Sequence, residues 1–299
     1  MCIRDSGIEA RKLIFSTCEI IKPFVPFLID GKSWKDHKTD TIANDLRFFE
    51  FSPDDNWHGF IGYGRSQYFL DPCKLLLTTR GVSVQSWSYK DFGVPAIILA
   101  HFLREQGIVP EKSDLYTIVF LLTPATSIDK LNILVGEIRR FELHVESNSS
   151  LVDILPSIYR SDPVRFENYG VRDLCQELHS LYSSMNLIVQ QRDMFTEMHF
   201  PKFELSAFSA TEQLVKGNVE LIPLNEASGR IAAEGVVPYP PGILCLAPGE
   251  AWGGAVLQYV LASEQLINNF PMFGPEIQGV HPKIEDDGRH RFYCYVVKK

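Results

Sequence analysis

The chain holds six cysteines and eight histidines, yet no two cysteines stand at C-x-x-C spacing and no His-x-x-x-His occurs. Tetrahedral zinc sites and dithiol redox centres are built on such spacings, so neither is expected. Cys2, Cys18, Cys73, Cys175, Cys245 and Cys294 are scattered, some in apolar settings such as Leu244-Cys245-Leu246. A reduced cysteine there behaves as a small hydrophobe, which reads as a chain of the reducing cytoplasm. No apolar run approaches the roughly 20 residues needed to cross a bilayer, and the richest, residues 96–103, is interrupted by His101. There is no G-x-x-x-x-G-K-[ST], no G-x-G-x-x-G and no G-x-S-x-G, so nucleotide binding and serine hydrolysis lack their usual frameworks. Cations are also in short supply: 29 Lys+Arg face 37 Asp+Glu, a net charge of -8. That argues against a nucleic-acid partner, whose binding depends on neutralising phosphates, and leaves room for a cationic ligand.

What is present is ordinary globular composition, 45% apolar and 22% charged over 299 residues, enough for one large domain or two ordinary ones. Apolar spacing predicts a helix over 8–24, with Ile8, Leu13, Ile14, Cys18 and Ile21 on one face and Pro23 and Pro26 as its stop. Residues 74–79 read as a strand introduced by the turn Asp71-Pro72. A helix is expected over 94–106, with Pro95 in its first turn and Gly107 at its C′ position. A buried strand over 116–122 follows, then a long amphipathic helix carrying Ile128, Leu131, Val135, Ile138 and Val145. This is a small α/β domain. Polarity rises over 146–150, a candidate linker, with a boundary at 148. Beyond it, a helix over 169–184, strands over 219–224, 243–246 and 292–297, and a helix over 253–269 describe an α+β domain. Residues 1–6 join this pattern without a helix start and read as a non-native scar, leaving domains at 7–148 and 149–299.

Several residues could carry chemistry. Glu111, between a helix and a buried strand, is either aimed into a cleft or paired with Lys112 in a solvated turn. Tyr239 lies in the densest proline cluster, 236–242, where fixed φ angles would hold its hydroxyl rigidly; the alternative is an aromatic plug. Arg230 is expected to pair with Glu234. Glu250 is expected to favour the N-terminus of the last helix through its dipole. His179, four residues after Cys175, reads as an ordinary helix residue. Trp34, Trp57, Phe60, Tyr63 and Tyr68 read as core or interface aromatics. No set of residues suggests a metal.

Taken in order, Asp71-Pro72-Cys73-Lys74-Leu75-Leu76-Leu77-Thr78-Thr79, Asp91-Phe92-Gly93-Val94-Pro95-Ala96, Gly107-Ile108-Val109-Pro110-Glu111-Lys112, Leu155-Pro156-Ser157 and Tyr239-Pro240-Pro241-Gly242 resemble the bacterial ornithine/lysine/arginine decarboxylases. The resemblance runs from about Gly7 to the C-terminus. Residues 229–235 and 250–255 look most like the ornithine-specific members.

The resemblance implies an aminotransferase-like small domain followed by the Orn/Lys/Arg decarboxylase C-terminal domain. It also implies a pyridoxal 5'-phosphate (PLP) enzyme of the cytoplasm, a homodimer or larger ring, acting on a small amino acid and making putrescine if ornithine is its substrate. Glu111 would face the substrate's distal ammonium and Tyr239 would stand near the entrance. The PLP lysine of the family follows a Ser-x-His motif in a large domain that this chain does not match. The one His-Lys pair here, His37-Lys38, lacks that serine and reads as a surface turn. No residue is therefore assigned as the Schiff-base lysine, and a fragment inactive alone is expected. The alternatives are a lysine or arginine decarboxylase of the same family, or a non-catalytic dimerising or regulatory module.

Overall fold

The computed structural model describes residues 3–26, 28–55, 58, 60–83, 86–196, 199–239 and 242–299. Trp57 and the two prolines after Tyr239, which figure in the sequence reading, lie outside them, as do Met1 and Cys2. Helices and sheets are mixed throughout, and the chain divides into two compact units, residues 1–180 and 181–299.

The first unit is built on a four-stranded antiparallel sheet in the order Ile21–Pro23, Lys74–Thr79, Thr117–Leu121, Lys112–Ser113. Period-2 alternation sets its buried face: Leu75, Leu77 and Thr79 from one strand, Ile118 and Phe120 from the next. Helix Ala96–Glu105 packs on the Thr117–Leu121 strand and on helix Ile128–Ser147, which also receives helix Ile3–Thr17. Pro95 is the N-cap of the Ala96–Glu105 helix rather than part of its first turn. Gly107 follows the C-cap at φ +76°, a left-handed conformation that costs glycine little. A satellite core of Ile8, Trp34, Ile42, Phe48 and Phe49 fills the space beside the first helix. Trp34 is thus a core aromatic as expected, whereas Phe60 and Tyr68 are exposed.

The expected helix over 8–24 is two elements. It begins at Ile3, inside the stretch read as a scar, and ends at Thr17; residues 21–23 are the edge strand. The cause is Glu142, a fully buried carboxylate that accepts from the amides of Glu19 (3.0 Å), Ile20 (2.7 Å) and Ile21 (2.7 Å). Those amides cannot also serve a helix. The polar stretch 146–150 is likewise folded. The long helix runs to Ser147, and Asn148 ends it in the left-handed region at φ 50°. The Asn148 side chain then turns to the helix Val171–Ser184, accepting from the amides of Arg172 (3.0 Å) and Asp173 (3.3 Å).

In the second unit, strands His281–Ile284, His290–Val297 and Val219–Pro223 form an antiparallel sheet in that order. Helix Gly254–Asn269 packs on the central strand and on helix Leu187–Asp193. A separate two-stranded ladder joins Val237–Tyr239 to Glu276–Gln278. Residues 243–246, read as a strand, form only the bridge Val236–Leu246, with Cys245 N–H donating to Val236 O (3.0 Å).

Candidate functional site

The side chain of Glu111 sits on the first unit's sheet, at the start of its shortest strand. Its amide donates to Val119 O (2.8 Å), which fixes the backbone one residue before Lys112–Ser113 pairs with Thr117–Leu121. The carboxylate does not pair with its neighbour Lys112. It accepts from Lys74 Nζ at 2.8 Å, and Lys74 is the first residue of the strand on the other flank of Thr117–Leu121. The ion pair therefore spans the strand between them. Glu111 and Lys74 keep 29% and 43% of their side-chain surface open, so both heads reach water. The carboxylate raises the Lys74 ammonium above its ordinary value, through the hydrogen bond first and charge second.

The turn that delivers Lys74 is held from behind. Asp71 accepts from the amide of Cys73 (2.8 Å). Arg11, almost wholly buried, donates to Gly7 O and Pro72 O (3.1 Å each) and to Lys74 O (2.8 Å). Burial pushes this guanidinium down to about 10, with Cys73 and Asp71 acting against the shift. A charged group without a carboxylate partner at this depth is expensive, and the three carbonyls are what offset the cost.

Tyr239 belongs to the second unit. It is the last residue of its strand, opposite Glu276, with 49% of its surface exposed, so it is no core plug. Pro238 O accepts from the amide of Gly242 (2.8 Å), and Gly242 lies against the Tyr239 ring. Three further expectations change. Arg230 pairs with Glu220, not Glu234. Glu234 instead contacts His281 (2.6 Å). Glu250 accepts from the amide of Ala247 (2.7 Å) inside its own loop, while the last helix starts at Gly254.

His179, read as an ordinary helix residue, is buried at 2% exposure between the Tyr116 hydroxyl and the carbonyl of Lys90, each 2.7 Å away. The signal that could have found it is Gly93: a Cβ there would stand 2.1 Å from His179 Nδ1, so only glycine leaves room for the ring. Among the described residues no group of three or more His, Cys, Asp or Glu side chains could hold a metal ion. None of their helices is long and apolar enough to cross a membrane. None of the lysines is buried. Lys38, of the His37-Lys38 pair, is exposed ahead of helix Thr39–Asn44, while His37 Nε2 lies 3.0 Å from Ile29 O.

Comparison with known proteins identifies the family. Residues 2–130 match the family model for the Orn/Lys/Arg decarboxylase major domain, and residues 188–298 match that for the Orn/Lys/Arg decarboxylase C-terminal domain. The constitutive ornithine decarboxylase of Escherichia coli is 52% identical over 98% of this chain and 41% of its own length. A lysine decarboxylase of Pseudomonas aeruginosa is 33% identical over 82% of this chain and 32% of its own. The crystal structure of a lysine decarboxylase from Francisella novicida superposes with a TM-score of 0.83 at 26% identity, covering 99% of this chain and 39% of that one. The chain thus spans about 40% of the length of the ornithine decarboxylases it matches. With models for both a major and a C-terminal domain matched in order along it, the chain belongs to the Orn/Lys/Arg decarboxylase family.

Proposed function

We propose that this chain serves as the C-terminal part of a PLP-dependent ornithine decarboxylase, a cytoplasmic carboxy-lyase that converts ornithine to putrescine and CO2. The observation that carries this reading is the gap between 52% identity to an ornithine decarboxylase and 33% to a lysine decarboxylase. In this reading Glu111 is the counter-charge for the substrate's δ-ammonium, and Tyr239 borders the entrance. The half-open carboxylate supports the first role, because it already binds one primary ammonium, that of Lys74. The part-exposed Tyr239, at the end of a short paired strand, supports the second.

PLP, when bound, supplies the electron sink for loss of CO2. In this reading the lysine that holds it lies outside this chain, whose one His-Lys pair, His37-Lys38, lacks the family's preceding serine. No step of the chemistry is assigned to a lysine here. What the chain contributes in this reading is substrate binding and orientation, with a second copy of the subunit as partner.

The test places Glu111→Gln in a complete decarboxylase whose C-terminal part is this chain. A partly screened ion pair predicts a KM for ornithine higher by about ten- to a hundredfold. The PLP absorbance should be unchanged. An ornithine KM near the unmodified value removes Glu111 from the site, and a lower KM for lysine than for ornithine in the unmodified enzyme overturns the substrate.

A further inference from the structure

Glu111 has an occupant. The group 2.8 Å from its Oε1 is a primary ammonium on a flexible alkyl stem, the same chemical group that terminates a diamino acid. Resting on the reading that Glu111 receives the substrate's distal ammonium, we propose that Lys74 is a specificity-determining residue that competes with the diamino acid for this carboxylate and so sets its apparent affinity.

The pairing is not an accident of two loose side chains. The Lys74 backbone is locked by antiparallel pairing with Leu121, by its amide donating to Asp71 O (3.0 Å) and by Arg11 donating to its carbonyl (2.8 Å). The Glu111 backbone is locked by its bond to Val119 O. Two fixed anchor points on either flank of one strand hold the lysine stem within reach of the carboxylate. Lys112, adjacent in sequence, makes no ion pair among the described residues, so the choice of Lys74 is geometric. The heads, in contrast to the backbones, are free to part. Both are partly exposed, and ion pairs of that kind contribute little, so water or a second ammonium can take either place.

An incoming ammonium must therefore displace Lys74 Nζ or share Oε1 and Oε2 with it. Either way it meets a like charge, and either way the effect falls equally on the bound substrate and its transition state. It should appear in KM and not in kcat. A ligand of the same backbone without the distal ammonium should not sense Lys74 at all. The lysine would thus be a threshold: it keeps Glu111 paired when no diamino acid is present and raises the concentration at which one binds.

The test compares Lys74→Met and Lys74→Arg with the unmodified residue, in a complete decarboxylase whose C-terminal part is this chain. Ornithine turnover is measured alongside competitive inhibition by norvaline, which lacks the distal ammonium. Lys74→Met should lower the ornithine KM about two- to fivefold at constant kcat and leave the norvaline inhibition constant unchanged, while Lys74→Arg keeps the KM near its original value. In a Glu111→Gln background Lys74→Met should have no effect. A KM that rises in Lys74→Met, or a norvaline constant that moves with it, overturns the proposal, since both mark a lysine that merely braces the sheet. Failure of the underlying reading looks different: Glu111→Gln alone would leave the ornithine KM where it was, and the proposal falls with it. A circular-dichroism melt of each variant separates these outcomes from loss of fold.

Discussion

The Tyr116 hydroxyl and His179 Nδ1 lie 2.7 Å apart although 63 residues separate them in the chain. The carbonyl of Lys90 can only accept, so Nε2–H of His179 donates to it, while Nδ1 shares a hydrogen bond with the Tyr116 hydroxyl. One side chain therefore ties the Val171–Ser184 helix to the segment that ends in Asp91-Phe92-Gly93 and to the central sheet. The tie is possible because Gly93 has no Cβ to occupy the ring's position.

Gly93→Ala should accordingly destabilise the chain, and it should do so through His179. The same change in a His179→Ala background, where the ring is gone, is expected to cost less by about 1–2 kcal/mol. His179→Ala alone removes a hydrogen bond from the buried Tyr116 hydroxyl and one from the Lys90 carbonyl, a loss of about 1–3 kcal/mol. Urea titration of the four chains measures both. Strict additivity between the two positions would show that the close approach has no energetic consequence.

How much of this was legible beforehand follows the range of the interactions. The strand Lys74–Thr79 was, because the turn Asp71-Pro72 that introduces its short apolar run is a local signal. So was the long helix, whose apolar face repeats at helical spacing and whose N-cap Ser127 accepts from Lys130 N–H (3.4 Å). The edge strand at Ile21–Pro23 was not: a carboxylate 121–123 residues away draws the chain out of its helix. At the candidate site the residue type and position of Glu111 were readable, but its partner was not. Sequence offers Lys112 one position away, whereas strand order brings in Lys74 from 37 residues away. His179 was misread for the same reason, since nothing on its own helix predicts that Tyr116 and Lys90 converge on it.

Asn148 offers a second measurement. It ends one helix with a left-handed backbone and caps another with its side chain, also donating to Asp173 Oδ2 (2.9 Å). The two tasks separate by substitution. Asn148→Gly keeps the backbone conformation and loses the cap; Asn148→Ala loses both. Loss of the cap should cost about 1 kcal/mol, and alanine should cost about 1 kcal/mol more than glycine because its Cβ resists positive φ. Denaturant midpoints that rank alanine above glycine would contradict the dual role.

His101 and His144 lie on two helices that pack against each other, and burial, the larger cause in each case, holds both imidazoles below their ordinary value of 6.5. Arg104 lowers His101 further and Arg140 lowers His144, while Glu105 and Glu137 act the other way. Unfolding releases the rings to titrate normally. Just below pH 6.5 the unfolded chain therefore binds more protons than the folded one, and stability rises with pH across that window. Stability should be intact at about pH 7 and decline as the pH falls through the unfolded value, before most carboxylates begin to titrate. The doubly substituted chain His101→Gln, His144→Gln carries no titrating group at either position. Its urea midpoint should change less between about pH 7 and about pH 5.5 than that of the unmodified chain. An equal decline in both chains would place the acid sensitivity on other groups.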